Sequence, residues 1–253
     1  MTQRLDRLLV ARGLVADLAT AVGLIMTGKV LVGGRPVVKP GAGVADQVEI
    51  RLKDPPLPWV SRGALKLEAA LDGCGLEVNG LVCLDVGAST GGFTDLLLSR
   101  GAARVFAVDV GYGQLAWKLV QDPRVVVMDR CNIRQLKPDD LAGPVDFLTM
   151  DISFMSLAQA LPAAVSCLRE GGTGVVLIKP QFELPREMIS KGGVVMDPAL
   201  HQQAIDRVRS VAEGLGLTSR ATLPSPIVGP AGNREFLYCF DRIPGNAEKQ
   251  INR

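Results

Sequence analysis

Apolar residues recur along the chain in two different rhythms, and the change from one to the other falls near residue 54. Before it the pattern is short and helical. Leu5, Leu8 and Leu9 stand at i, i+3 and i+4, the spacing of one helix face, and Gly13 is placed to end that helix. Asp17 is a capping residue for a second helix, with Ala21, Val22, Ile25 and Met26 on one face and Gly28 as its stop. Val30–Val32, the pair Gly33–Gly34 and Pro36–Val38 predict a hairpin on a glycine turn, and Val48–Ile50 a last short strand. Residues 54–58 then read Asp-Pro-Pro-Leu-Pro. Prolines at this density continue neither a helix nor a central strand, so an extended linker is expected over residues 54–60.

After the linker the apolar runs become strand-like and alternate with helical stretches. Leu81–Val86 is a strand, Gly87–Gly92 a small-residue loop, and Thr94–Ser99 begins a helix. Further strands are predicted at Val105–Asp109, Arg124–Asp129, Val145–Asp151 and Val175–Lys179. Such alternation implies a mainly parallel sheet covered on both faces. The expected class is therefore α/β and Rossmann-like over residues 61–253, with a small α+β unit over residues 1–53. Each of the five strands ends in or next to a charge: Asp85, Asp109, Asp129, Asp151, Lys179. Ligands bind such sheets at the carboxyl ends of the strands, and a merely structural sheet has no reason to line up charges on one edge.

Composition narrows the classes. With 253 residues, 47% of them hydrophobic and 21% charged, the chain can bury a sizeable core. The net charge of +2 is not that of a protein that coats DNA. It is unevenly spread, however: residues 1–53 carry eight Lys/Arg against four Asp/Glu, and the rest of the chain is net negative. A basic small unit on a near-neutral large one suits a tethered nucleic-acid binder. The five cysteines show no CxxC spacing, which argues against a disulfide framework or a zinc site and for a reducing compartment. No metal is expected. The single histidine, His201, reads as a helix-surface residue. No apolar run has the length of a membrane span and no signal-peptide pattern opens the chain, so a cytoplasmic protein without a membrane partner is expected.

The run from Asp85 to Phe93, Asp-Val-Gly-Ala-Ser-Thr-Gly-Gly-Phe, follows a strand, and its glycines let a ligand approach the backbone. It is no Walker loop, since no Gly-Lys-Ser/Thr follows. A dinucleotide and S-adenosylmethionine both remain open on the loop alone. Asp109 is placed to hold ribose hydroxyls in either, and Asp129 to accept from an adenine amino group. The spacing Asp85-x-Gly-x-x-x-Gly-Gly departs from Gly-x-Gly-x-x-Gly and resembles the first motif of class I methyltransferases. That resemblance implies S-adenosylmethionine as cofactor, held by Asp85, Gly87, Ala88, Ser89, Gly91, Gly92, Phe93, Asp109 and Asp129.

Four further runs sharpen the chemistry: Ser61–Leu67 with Lys66, Asp151-Ile152-Ser153-Phe154, Lys179-Pro180-Gln181-Phe182-Glu183, and Asn233-Arg234-Glu235-Phe236. Lys66, Asp151, Lys179 and Glu235 in this order resemble the Lys-Asp-Lys-Glu tetrad of FtsJ-type RNA ribose 2′-O-methyltransferases. Arg4-Leu5-Asp6, Ile25…Gly28-Lys29-Val30 and Lys39-Pro40-Gly41 resemble the small αL RNA-binding module of a small-subunit ribosomal protein. Both together are similar to the TlyA family over nearly the full chain. The resemblance implies methylation of ribosomal RNA cytidines at the ribose 2′-oxygen, with ribosomal RNA or ribosomal subunits as partner. Lys179 would hydrogen-bond the 2′-oxygen or take its proton, Asp151 and Glu235 would hold its ammonium, and Lys66 would complete the network. Arg4, Arg7, Lys29 and Lys39 would meet phosphates. In one place the chain departs from the module: Asp17-Leu18 replaces its usual Ser-Arg pair, which implies weaker RNA affinity. The run after the fourth strand lacks the two prolines of Asn/Asp-Pro-Pro-Tyr/Phe, which speaks against base-amine methylation. Two rival classes stand beside this reading, an RNA-binding assembly protein without activity and a hemolysin, a label many family members carry.

Overall fold

A computed structural model describes residues 2–53, 57–190 and 192–244, and the chain divides into two compact units on either side of the Pro58–Trp59 bond. The first unit runs β1 (Thr2–Arg4), α1 (Leu5–Ala11), α2 (Leu18–Met26), β2 (Val30–Val32), β3 (Arg35–Pro36), β4 (Gly43–Ala45) and β5 (Ile50–Leu52). The helices share one core with an antiparallel sheet of order β3-β2-β5, built on Leu5, Leu9, Ala21, Ile25, Val30 and Ile50. The Asp17 carboxylate accepts the Thr20 N–H at 2.8 Å and so caps α2. Three expectations shift. The second hairpin strand is Arg35–Pro36 rather than Pro36–Val38. The last strand is Ile50–Leu52 rather than Val48–Ile50, because the Val48 N–H closes a turn onto the Ala45 carbonyl. Met26 is 66% exposed, so only Ala21 and Ile25 form the buried stripe of α2. The ribbon of β1 with β4 is too short to leave a periodic signal.

Asp54, Pro55 and Pro56 of the expected linker lie outside the described residues. Its other end is no free linker. The Val60 N–H donates to Asp95 at 2.7 Å and the Trp59 indole N–H to Ser99 at 3.4 Å, so both residues are fastened to the second unit.

The second unit runs α3 (Ala64–Cys74), β6 (Val82–Val86), α4 (Gly92–Ser99), β7 (Arg104–Val108), α5 (Trp117–Val120), β8 (Val125–Met128), β9 (Val145–Met150), α6 (Leu157–Ser166), β10 (Leu168–Ile178), α7 (Pro180–Glu183), α8 (Pro198–Gly214), β11 (Leu217–Pro224) and β12 (Phe236–Arg242). Its seven-stranded sheet has the order β11-β12-β10-β9-β6-β7-β8. The strands from β10 to β8 are parallel, and β12 is antiparallel to both β10 and β11. All five predicted strands are present, with ends shifted by a residue or two, except that β10 starts seven residues earlier and carries a register break between Leu168 and Thr173.

Side chains alternate between two cores. Leu84, Leu148, Val176 and Tyr238 pack under α6 and α8, while Phe147, Val175, Leu177 and Leu237 pack under α3 and α4. His201 on α8 is 6% exposed. Its Nε2 lies 2.8 Å from the Val195 carbonyl and its ring 5.4 Å from that of Phe236. The helix-surface reading of this residue is thereby overturned; the loop at Val195 covers it, a contact that helical periodicity does not encode.

Phe147 is wholly buried in β9 between the sheet and the α3–α4 layer. Phe147→Ala should cost about 3–5 kcal/mol by leaving a cavity there. Urea denaturation is the measurement, and a cost under about 1 kcal/mol would contradict the packing described.

Candidate active site

The carboxyl ends of β6, β7, β9 and β10 define one edge of the sheet, and the functional side chains gather along it. Two cavities open there. One of about 350 Å³ is lined among others by Gly87, Ser89, Asp109, Val110, Asn132 and Phe154. The other, about 290 Å³, is lined among others by Arg62, Lys66, Ala88, Gly92, Phe93 and Val228. They meet at Gly87, Ser89 and Asp151.

Gly87 explains why the loop needs glycine. Its φ is +81°, and a Cβ there would collide with the Asp151 backbone carbonyl. The loop after β6 thus lies directly on the end of β9. Asp109, just after β7, faces the larger cavity and accepts the Ser89 N–H at 2.8 Å and the Gly111 N–H at 2.7 Å. Its carboxylate orders the glycine loop and retains lone pairs for a ligand.

Three expected cofactor contacts stand elsewhere. Asp85 is not at the edge but inside β6, 0% exposed, accepting the Thr94 hydroxyl at 2.6 Å and the Thr149 hydroxyl at 3.0 Å. It is a buried tie between β6, α4 and β9. Desolvation pushes its carboxyl up to about 6. Gly91 lines neither cavity; it has φ +97° and is packed against Leu115 and Leu119. Asp129 accepts the Gly113 N–H at 2.8 Å, and the wall near it is formed by Cys131, Asn132 and Ile133 instead.

The four residues of the expected tetrad do come together, from α3, the end of β9, the end of β10 and the start of β12. Lys179 Nζ lies 2.6 Å from Asp151 Oδ1, Lys66 Nζ lies 3.2 Å from Asp151 Oδ2, and Lys66 Nζ lies 2.8 Å from Glu235 Oε2. The result is one line of alternating charge, Lys179–Asp151–Lys66–Glu235. Side-chain exposures are 9%, 20%, 10% and 1% along it. Glu235 therefore balances Lys66 and not Lys179, against expectation. The second partner of Lys179 is the Ser153 hydroxyl at 2.9 Å, a residue in the Asp-Ile-Ser-Phe run whose role the pattern did not disclose.

Supporting contacts hold the frame. Glu183, the last residue of Lys-Pro-Gln-Phe-Glu, is 2% exposed and caps α6, accepting the Ser156 hydroxyl at 2.6 Å and the Leu157 N–H at 2.8 Å. Desolvation raises its carboxyl above the ordinary range. Asn233, 1% exposed, accepts the Val195 N–H and donates to the Gly193 carbonyl, tying that loop to the approach of β12. Phe154, at φ +65° and 92% exposed, stands at the cavity mouth with its ring 5.5 Å from that of Phe182. Among the described residues no group of three His, Cys, Asp or Glu side chains is placed to hold a metal ion.

In the first unit the candidate phosphate contacts differ. Arg7 and Lys39 are exposed and Lys29 is half-buried. Arg4 is exposed but engaged, with its guanidinium 2.6 Å from the buried Asp6 carboxylate.

Comparison with known proteins bears on this edge. Residues 59–242 match the FtsJ-like methyltransferase family. The 16S/23S rRNA (cytidine-2′-O)-methyltransferase TlyA of Mycobacterium tuberculosis is 48% identical over 92% of this chain and 87% of its own. A solved Streptococcus thermophilus protein bearing the hemolysin name is 41% identical, covering 96% of this chain and 89% of its own, with a TM-score of 0.75. An S-adenosylmethionine-dependent methyltransferase from Listeria monocytogenes shares the fold, with a TM-score of 0.54 at 12% identity over 72% of this chain and 99% of its own.

The buried Asp85 carries a pH signature. Its folded pKa of about 6 exceeds the ordinary 3.8, so it stabilises the fold fully below pH 4 and that contribution is lost as pH rises through 6. The stability advantage of wild type over Asp85→Asn should shrink by up to about 3 kcal/mol across this window and then level off. Denaturant melts of both proteins at stepped pH check it; parallel profiles would refute the shift.

Proposed function

The chain belongs to the FtsJ-like methyltransferase family, and from that premise we propose that it methylates the ribose 2′-oxygen of a nucleotide in ribosomal RNA. The observation that carries the reading is the unbroken line Lys179–Asp151–Lys66–Glu235 beside the glycine loop. The 2′-O-chemistry and the rRNA substrate are those named for the 48% identical Mycobacterium tuberculosis relative.

The cofactor is S-adenosylmethionine, which supplies a methyl group already activated on a sulfonium. The larger cavity fits it: Asp109 presents an acceptor suited to ribose hydroxyls, and Gly87 and Ser89 of the loop line the wall beside it. Gly87, Ser89 and Asp109 of the larger cavity are the residues proposed to hold it, with Ala88, Gly92 and Phe93 of the adjoining cavity and with Asn132 rather than Asp129 on the wall beside it. What remains for the protein is alignment of the hydroxyl and management of one proton. An ammonium has three N–H donors. Asp151 and Ser153 occupy two of those of Lys179, which leaves one for the 2′-oxygen. That donor stabilises the charge developing on the oxygen as its proton passes to solvent water. Lys66 keeps Asp151 from turning away, and Glu235 keeps Lys66 in place.

The first unit is proposed to recruit RNA through Arg7, Lys29 and Lys39, with Arg4 contributing from its ion pair with Asp6. Its positive excess supports this, while Asp17-Leu18, standing where the module has a Ser-Arg pair, lowers the affinity expected of it. The protein would then work in the cytoplasm, where ribosomes are assembled. No helix among the described residues is long and apolar enough to cross a membrane. The hemolysin name of one relative adds no chemistry to the site.

Lys179→Ala should lower turnover by about 100- to 10,000-fold with cofactor binding retained, and Lys179→Arg should not restore it, since a guanidinium has a different shape and donor layout. RNA lacking only the target 2′-hydroxyl should accept no methyl group. Methylation of that RNA, or near-normal turnover by Lys179→Ala, would overturn the ribose mechanism. For recruitment, Arg7→Ala with Lys39→Ala should weaken RNA binding and flatten its salt dependence by about one power of salt concentration per lost contact. An unchanged slope in filter-binding titrations would remove the proposed role.

A further inference from the structure

Cys74 is the last residue of α3, and Cys239 lies 165 positions later in the middle of β12. Their sulfur atoms are 2.8 Å apart. Both are thiols, yet the spacing is already inside van der Waals contact and within reach of the ~2.05 Å of a covalent bond. The approach is built into the local sequence. A Cβ on Gly73 would stand 2.7 Å from Leu223 Cδ1 of β11, so glycine lets the end of α3 lie flat against the antiparallel pair β11–β12. Alternation along β12 turns Tyr238 and Phe240 toward α8 and Cys239 toward α3. Cys239 is 0% exposed and Cys74 half-buried. Neither lines the cavities or touches the charge line.

We propose that Cys74 and Cys239 form a reversible disulfide site, closed by a low-molecular-weight disulfide and reopened by excess thiol. The exposure difference sets the order. The Cys74 thiolate attacks one sulfur of the external disulfide, forming a mixed disulfide and expelling a thiolate that takes up a proton. Cys239 then gives up its proton and attacks Sγ of Cys74, forming the internal bond and expelling the second thiolate. The protein loses two protons and two electrons, and the external disulfide takes them up to become two thiols. Desolvation raises the Cys239 thiol above its ordinary range, which keeps it protonated until Cys74 carries a mixed disulfide.

The bridge fastens the end of α3 to β12, the two elements that bring Lys66 and Glu235 together. It restricts the unfolded chain over a long loop. From 2.8 Å the sulfurs need to close by less than about 1 Å, which side-chain rotation supplies with little movement of either element. Oxidation is therefore expected to stabilise the second unit without changing turnover.

The full-length protein, incubated with oxidised glutathione and blocked with a thiol alkylator, would be digested and mapped by mass spectrometry. The expected product joins the Cys74 and Cys239 peptides, disappears on reduction, and raises the melting temperature. Cys74→Ser should form no bridge and show no redox-dependent melting. Cys239→Ala, which keeps the core apolar, should stop at a glutathione adduct on Cys74. If Cys74 and Cys239 are both alkylated after oxidation, if wild type stops at the adduct, or if Cys239 pairs with another cysteine, the site is refuted. Bridge formation with an unchanged melting temperature would refute the stabilising role.

Discussion

A carboxylate shared by two lysines organises this molecule. Asp151 takes Lys179 on one oxygen and Lys66 on the other, and Lys66 reaches on to Glu235. Each of these charges is largely withdrawn from water, and a lone charge so placed would be strongly unfavourable. In alternating order the four sum to zero and every one has a neighbour of opposite sign. Deleting a member strands its neighbour, which is why such groups are costly to break while adding little to net stability. The arrangement also dictates topology. Lys179 and Asp151 arrive on adjacent parallel strands, β10 and β9, but Glu235 arrives on β12, which must run the other way to present its first residues at the same edge.

The sequence disclosed the sheet because five apolar runs each stopped at a charge, and a run that stops is visible without knowing its neighbours. Pairing is visible only in part: Asp151 on Lys179 follows from the motif. Glu235 was expected on Lys179, but partner choice depends on where α3 lies, and no periodicity reports that. Asp85 was misplaced for a related reason. It immediately precedes the glycine loop, yet register sets it opposite Thr149 and beneath Thr94, so it points into the protein and not into the cavity. The recognised motif marked the strand correctly and the side chain wrongly. Glu183 belongs to the same class: it closes a recognised catalytic run and spends both oxygens on the start of α6.

Contacts between distant segments that belong to no motif leave no signal. His201, a lone histidine with no supporting motif, reads as a helix-surface residue, whereas the loop at Val195 covers it. Ser153 gave no signal beyond its place two residues after Asp151. Cys74 and Cys239 are far apart in the chain and carry no spacing motif. In the first unit the short β1–β4 ribbon leaves no sequence signal because three residues cannot express a period, while the Asp17 cap is legible because capping is a local matter of one side chain and one N–H.

The contact between Gly87 and the backbone of Asp151 makes one residue serve two masters. Its main chain forms part of the floor under the glycine loop, and its side chain sets the position of both lysines. The depth of the ligand cradle and the placement of the reacting charges are thus mechanically geared. A side chain at position 87 would press on the end of β9 and carry the lysines off their marks even though it touches neither. Lost activity in such a variant would be a transmitted error, and adaptation of this site toward a bulkier ligand would have to proceed through some other wall.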